Sequence, residues 1–111
     1  AWFAADGTEM DHDRWHNPWL RTLQMYLHAV RLDPDTGRHL DESLLVVVQG
    51  SVHEVDVVLP GEPWAGGYVL LWDSARQDVE DAEVPAGSRV AVDAVSVRVY
   101  GARPPGERSD A

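Results

Sequence analysis

Short β-rich runs that alternate apolar and polar residues, each closed by a turn signal, constrain this chain more than any other feature. In 22–28, Leu23, Met25 and Leu27 point one way while Thr22, Gln24, Tyr26 and His28 point the other, the period of a half-buried strand. Leu44-Leu45-Val46-Val47-Val48 is apolar on both faces, which predicts a central strand covered on both sides. Val55, Val57 and Leu59 share a face and stop at Pro60-Gly61, and 68–72 forms another short run. Val90, Val92 and Ala94 face one way and Val95, Val97 and Val99 the other, so a bend is expected near Asp93-Ala94. Turn signals separate these runs at Asp33-Pro34-Asp35-Thr36-Gly37, Gln49-Gly50-Ser51, Pro60-Gly61-Glu62-Pro63 and Pro85-Ala86-Gly87-Ser88. Sixteen valines reinforce the reading, because β-branched side chains lose rotamer freedom in helices but suit a pleated sheet. One helical turn is expected at 11–15, where Asp11 can cap it by accepting the amide hydrogen of Arg14 before Pro18 interrupts.

The fold class this predicts is all-β: an antiparallel β-sandwich of about seven or eight strands. An immunoglobulin-type domain is the alternative, weakened by the missing Cys…Trp…Cys pattern. The expected core is Leu23, Met25, Leu27, Leu45, Val47, Val55, Val57, Leu70, Val92, Val97 and Val99. Residues 1–100 form the domain and the polar segment 101–111, rich in proline and charge, a flexible tail.

A length of 111 residues supports one domain and excludes a (β/α)₈ barrel, which needs about 250. The formal charge of −10 opposes phosphate backbones and anionic lipid, so neither nucleic acid nor a membrane is an expected partner. The chain has no cysteine, which rules out a disulfide, a thiol nucleophile or a Cys-ligated zinc. Its longest apolar run, 44–48, is far short of the ~20 residues that span a bilayer. Trp2, Phe3 and Asp6 stand where a basic and then apolar leader would be, so the expected location is cytoplasmic. The opening Ala1-Trp2-Phe3 reads as a piece of a longer chain.

Catalytic chemistry finds little support. His12-Asp13-Arg14-Trp15-His16 has the spacing of two zinc ligands on a helix, with aspartate where a metalloprotease keeps glutamate. One turn before Pro18 and no marked third ligand leave a surface turn as the simpler reading, so no metal and no cofactor are expected. None of the six serines sits in a G-x-S-x-G elbow. The carboxylates Asp11/Asp13, Asp33/Asp35 and Asp78/Glu80/Asp81 fall in solvated loops, whereas glycosidase chemistry needs two carboxyls held across a cleft. No catalytic residue is assigned.

Tryptophan is more informative, with five in the chain. Trp2 and Trp72 fall in predicted strands and are expected to be buried. Trp15, Trp19 and Trp64 lie beside turns, where they can cover a sandwich edge, seal against another domain, or stack on sugar.

The order of motifs carries a resemblance. Trp2-Phe3, Asp6-Gly7-Thr8-Glu9-Met10, Asp13-Arg14-Trp15, Leu23-Gln24-Met25-Tyr26-Leu27 and Asp41-Glu42-Ser43-Leu44-Leu45 come in turn. Trp64, Leu71-Trp72-Asp73-Ser74, Val84-Pro85-Ala86-Gly87 and Ala94-Val95-Ser96-Val97-Arg98-Val99 follow. Together they resemble the region after the catalytic barrel in bacterial glycogen debranching enzymes, the isoamylase-type members of the alpha-amylase superfamily. The resemblance runs from Trp2 to about Tyr100. It implies a non-catalytic C-terminal β-sandwich packed on the barrel of a glycoside hydrolase that cleaves α-1,6 branch linkages in glycogen or limit dextrin. The catalytic carboxylates of that family lie on the barrel, so none is carried onto this chain. The expected partner is therefore the barrel, within one polypeptide. The alternative is an α-glucan-binding module that uses Trp15, Trp19 and Trp64.

Overall fold

The computed structural model describes residues 1–16, 20–76 and 83–103. Its elements are β1 (Trp2–Phe3), α1 (His12–Trp15), β2 (Thr22–Leu32), β3 (His39–Gln49), β4 (Val55–Val58), β5 (Gly67–Asp73), β6 (Glu83–Pro85), β7 (Arg89–Val92) and β8 (Ser96–Arg103). Six strands form one sheet in the order β1-β2-β3-β8-β5-β6, and β4 and β7 form a second. Every pairing is antiparallel. The fold is an all-β sandwich, as the sequence predicts.

The core lies between the two sheets. Leu45 and Val47 of β3, Tyr68 of β5 and Tyr100 of β8 meet Val57 of β4, Leu59 just after it, and Val92 of β7. Tyr68 is wholly buried and donates its hydroxyl to the Pro60 carbonyl at 2.7 Å. The bend expected near Asp93-Ala94 is where the chain passes from the small sheet to the large one. Val95 takes a positive φ of 47° there, which a β-branched residue adopts only under strain. Val95 is 68% exposed, so Val95→Gly gives up little burial. We expect that variant to raise stability by about 0.5–1 kcal/mol in urea melts, strain relief outweighing the lost chain stiffness.

At the other end, the turn after β1 is clamped to β4, with Val58 donating its amide to the Ala5 carbonyl at 2.7 Å. Gly7 makes the clamp possible: its φ is +82°, and a Cβ there would lie 2.9 Å from the Val58 oxygen. The expected helical turn forms as α1, with Asp11 Oδ1 accepting the Arg14 amide at 2.8 Å.

Three expectations need correction. The phase of β2 is inverted: Thr22 and Gln24 are buried and Tyr26 packs on the core, while Leu23, Met25 and Leu27 face away from it. Gln24 points inward because it supplies a donor where the sheets join, bonding the Ala4 carbonyl at 2.9 Å and the Val58 carbonyl at 2.8 Å. On β8 the inward residues are Ser96, Arg98 and Tyr100, which puts Val97 and Val99 on the far side. Finally, β8 continues through Gly101, Ala102 and Arg103 because these residues pair with β5, so the strand runs past the expected start of the tail.

Burial also sets an alkaline limit. It raises the Tyr68 hydroxyl well above the usual tyrosine pKa near 10, with Tyr26 adding to the shift. Below pH 10 both folded and unfolded chains keep that proton, and the stability is fully present. Above it the unfolded chain ionises first, so stability falls by about 1.4 kcal/mol per pH unit. Tyr68→Phe should cost about 1–2 kcal/mol at pH 7, through the orphaned Pro60 carbonyl. It should also flatten the loss between pH 10 and 11 in urea melts.

Candidate interaction surface

Residues paired across antiparallel strands share a face, so the register fixes what lies on the far side of the large sheet. Trp2 pairs with Met25, Met25 with Val46, Val46 with Val99, and Val99 with Trp72. This is an unbroken apolar row across five strands. Leu23, Val48 and Val97 form a second row. Leu27, Leu44 and Gly101 form a third, and Leu71, set off by a bulge between Leu70 and Trp72, reaches over it. A Cβ on Gly101 would stand 3.5 Å from Leu71 Cδ1. Trp2 and Leu27 are each 42% exposed, Val48 44%, and Leu71 and Trp72 each 52%. Trp2 and Trp72, expected to be buried, are thus the exposed ends of the first row. Trp2 pairs with the outward-facing Met25, and the bulge after Leu70 turns Trp72 to the outer face beside Val99.

The inner face carries polar residues where a sandwich ordinarily keeps hydrocarbon. Phe3, Gln24, Val47, Arg98 and Asp73 form the inner row beside the first outer one. Arg98 Nε donates to Asp73 Oδ2 at 2.9 Å, and Arg98 Nη1 to the Tyr100 hydroxyl at 3.2 Å. Burial alone would lower the Arg98 pKa, but Tyr100 and Asp73 outweigh it and hold the guanidinium charged. Asp73 Oδ1 accepts the Ala75 amide at 2.9 Å. The Gln49 amide donates to the carbonyls of His53 at 2.9 Å and Asp93 at 3.0 Å.

The tryptophans singled out from the sequence are scattered. Trp15 is 43% exposed and meets Trp2 edge-on, with ring centroids 5.4 Å apart and planes at 76°. Trp64 is half-buried between Phe3 and Tyr26, at 5.1 and 5.5 Å, and its carbonyl accepts the Tyr26 hydroxyl. Trp19 lies outside the described residues, as do Asp78, Glu80 and Asp81. Trp15 extends the edge of the outer face at Trp2.

A cleft of about 520 Å³ opens beside α1, lined by Asp6, Met10, Arg14, Arg21, Thr22 and Ser51 among others. Arg14 is engaged there by Asp6 at 3.2 Å and by Thr8. The Thr8 hydroxyl and amide, with Arg14, hold the Asp6 carboxyl below its usual pKa. The Thr8 hydroxyl and the Asp6 carboxylate beside it are both tied to Arg14. Among the described residues no three His, Cys, Asp or Glu side chains converge on a metal position. No helix among them is long and apolar enough to cross a membrane.

Comparison with known proteins returned no matching family model and no matching curated protein. The outer sheet face is therefore the feature with the clearest chemical consequence. It offers large apolar side chains on a broad front, and withdrawing such surface from water is favourable. The sequence signal was already present in 44–48. A strand apolar on both faces needs two covers, and β3 has one: Leu45 and Val47 are wholly buried, whereas Leu44 and Val48 stand exposed.

Proposed function

We propose that this chain is a non-catalytic domain that docks the outer face of its six-stranded sheet on a partner domain of the same polypeptide. The observation carrying the reading is the five-strand apolar row from Trp2 to Trp72, which leaves β3 covered on one side only. At strand spacings of ~4.8 Å and ~6.8 Å between rows, the face covers roughly 500 Å². That is below the ~800 Å² per partner typical of stable complexes between separate chains. A contact of about 1,000 Å² in total suits domains joined in one chain, where high effective concentration compensates for small area. The charge of −10 also works against a second copy as the occupant.

The resemblance supplies the partner's identity: the catalytic barrel of an isoamylase-type glycogen debranching enzyme, hydrolysing α-1,6-glucosidic linkages. The sugar-platform alternative needs coplanar, open aromatic faces, and the described pairs Trp2–Trp15 and Phe3–Trp64 meet edge-on. Three measurements test the reading. The chain alone should release no maltooligosaccharides from glycogen. Supplied at high micromolar concentration to a separately produced barrel of an isoamylase-type enzyme, it should bind weakly and reversibly in a calorimetric titration, and Val46→Asp should abolish that binding. Saturable tryptophan quenching by maltoheptaose, without any barrel complex, would overturn it in favour of a binding module.

A further inference from the structure

We propose that His12 and His16 form a two-imidazole site for a zinc ion on the exposed side of α1. The two residues are four apart on a formed helical turn. Trp15 donates its amide to the Asp11 carbonyl at 3.1 Å, and His16 donates to the His12 carbonyl at 3.3 Å. Side chains spaced in this way share one helix face. Their rings are already adjacent, with centroids 4.3 Å apart and planes at 82°. Both residues are exposed, so an ion can reach them.

That separation is close to what a shared ion requires. With Zn–N near 2.0–2.1 Å and roughly 1.1 Å from nitrogen to ring centre, two cis imidazoles place their centroids about 4.4–5.2 Å apart. The rings must open slightly from 4.3 Å and turn about their side-chain torsions so that one nitrogen of each faces a common ion. Since no third His, Cys, Asp or Glu joins them among the described residues, water completes the coordination. The site is then neither a closed structural zinc nor a protease centre. It is a surface chelate that borderline-soft ions such as zinc prefer over magnesium or calcium.

Its consequence runs through the helix. Zinc binding to the folded turn adds stability to that turn by mass action. The same turn carries Trp15, whose ring contacts Trp2 at the edge of the apolar face. A bound ion would hold that edge in place and report itself through the indole.

Zinc chloride is titrated into the full chain at pH 7.5, followed by calorimetry and tryptophan fluorescence. The unmodified chain should bind one ion. His12→Ala and His16→Ala should each weaken binding about tenfold or more, given that even outer-shell partners of a metal matter by 10- to 100-fold. His28→Ala/His53→Ala, which alters histidines elsewhere, should bind like the unmodified chain. Binding unchanged in His12→Ala, loss in the His28/His53 variant, or no binding up to millimolar zinc would each overturn the site.

Discussion

Replacing Asp73 with alanine is expected to lower the free energy of unfolding by about 3–5 kcal/mol, a large fraction of the roughly 5–15 kcal/mol a domain this size possesses. The Asp73 side chain has no solvent exposure and that of Arg98 only 7%. Removing the carboxylate leaves a buried guanidinium whose remaining hydrogen-bond partner among the described residues is the neutral Tyr100 hydroxyl. Arg76, 3.9 Å from Asp73 and already 3.2 Å from Asp93, gains nothing that offsets this. The pair itself is not indispensable. Its desolvation opposes its attraction, so Asp73→Leu combined with Arg98→Met should recover most of the loss. Urea melts of the single and double variants separate the two contributions. A double variant as unstable as Asp73→Ala would mean that the pair, rather than the orphaned charge, carries the energy. The Ala75 amide, which also loses its acceptor in Asp73→Leu, sets the residual deficit at about 1 kcal/mol.

Strand positions were largely legible in the sequence because period-two alternation and turn residues act locally. The β2 and β4 runs, the bend at Asp93-Ala94 and the Asp11 cap all follow from neighbours within a few residues. Which face turns inward is not a local property. Leu23, Met25 and Leu27 make the more apolar face of β2, yet Thr22, Gln24 and Tyr26 line the sandwich. Alternation reports that a face leaves water; it does not distinguish a core from a docking surface. Gln24 faces inward because two backbone carbonyls at the sheet junction need a donor, a demand set by residues 20 and 34 positions away. Asp73 and Arg98 were equally hard to place. They pair across strands 25 residues apart, and each alone reads as a surface charge.

The outer face also determines how the chain behaves by itself. In dilute buffer the charge of −10 keeps copies apart, because the Debye length at 0.1 M salt is ~10 Å. At 1 M it falls to ~3 Å, and repulsion no longer opposes contact between the exposed rows. Each 100 Å² of apolar surface then withdrawn from water contributes about 2.5 kcal/mol before the entropy of association is subtracted. The chain should therefore sediment as a monomer at 50 mM salt and as dimers or larger species at 1 M. Trp72→Ser with Val46→Thr interrupts the row at two of its five positions without touching the core between the sheets. This variant should remain monomeric at 1 M salt, its dissociation constant raised at least about tenfold, with the β-sheet circular dichroism unchanged. Trp64→Leu, a substitution in the half-buried layer beside Phe3, should leave the salt-driven association intact. If the unmodified chain stays monomeric at high salt and high concentration, the outer face is not adhesive, and the missing cover on β3 would need another explanation.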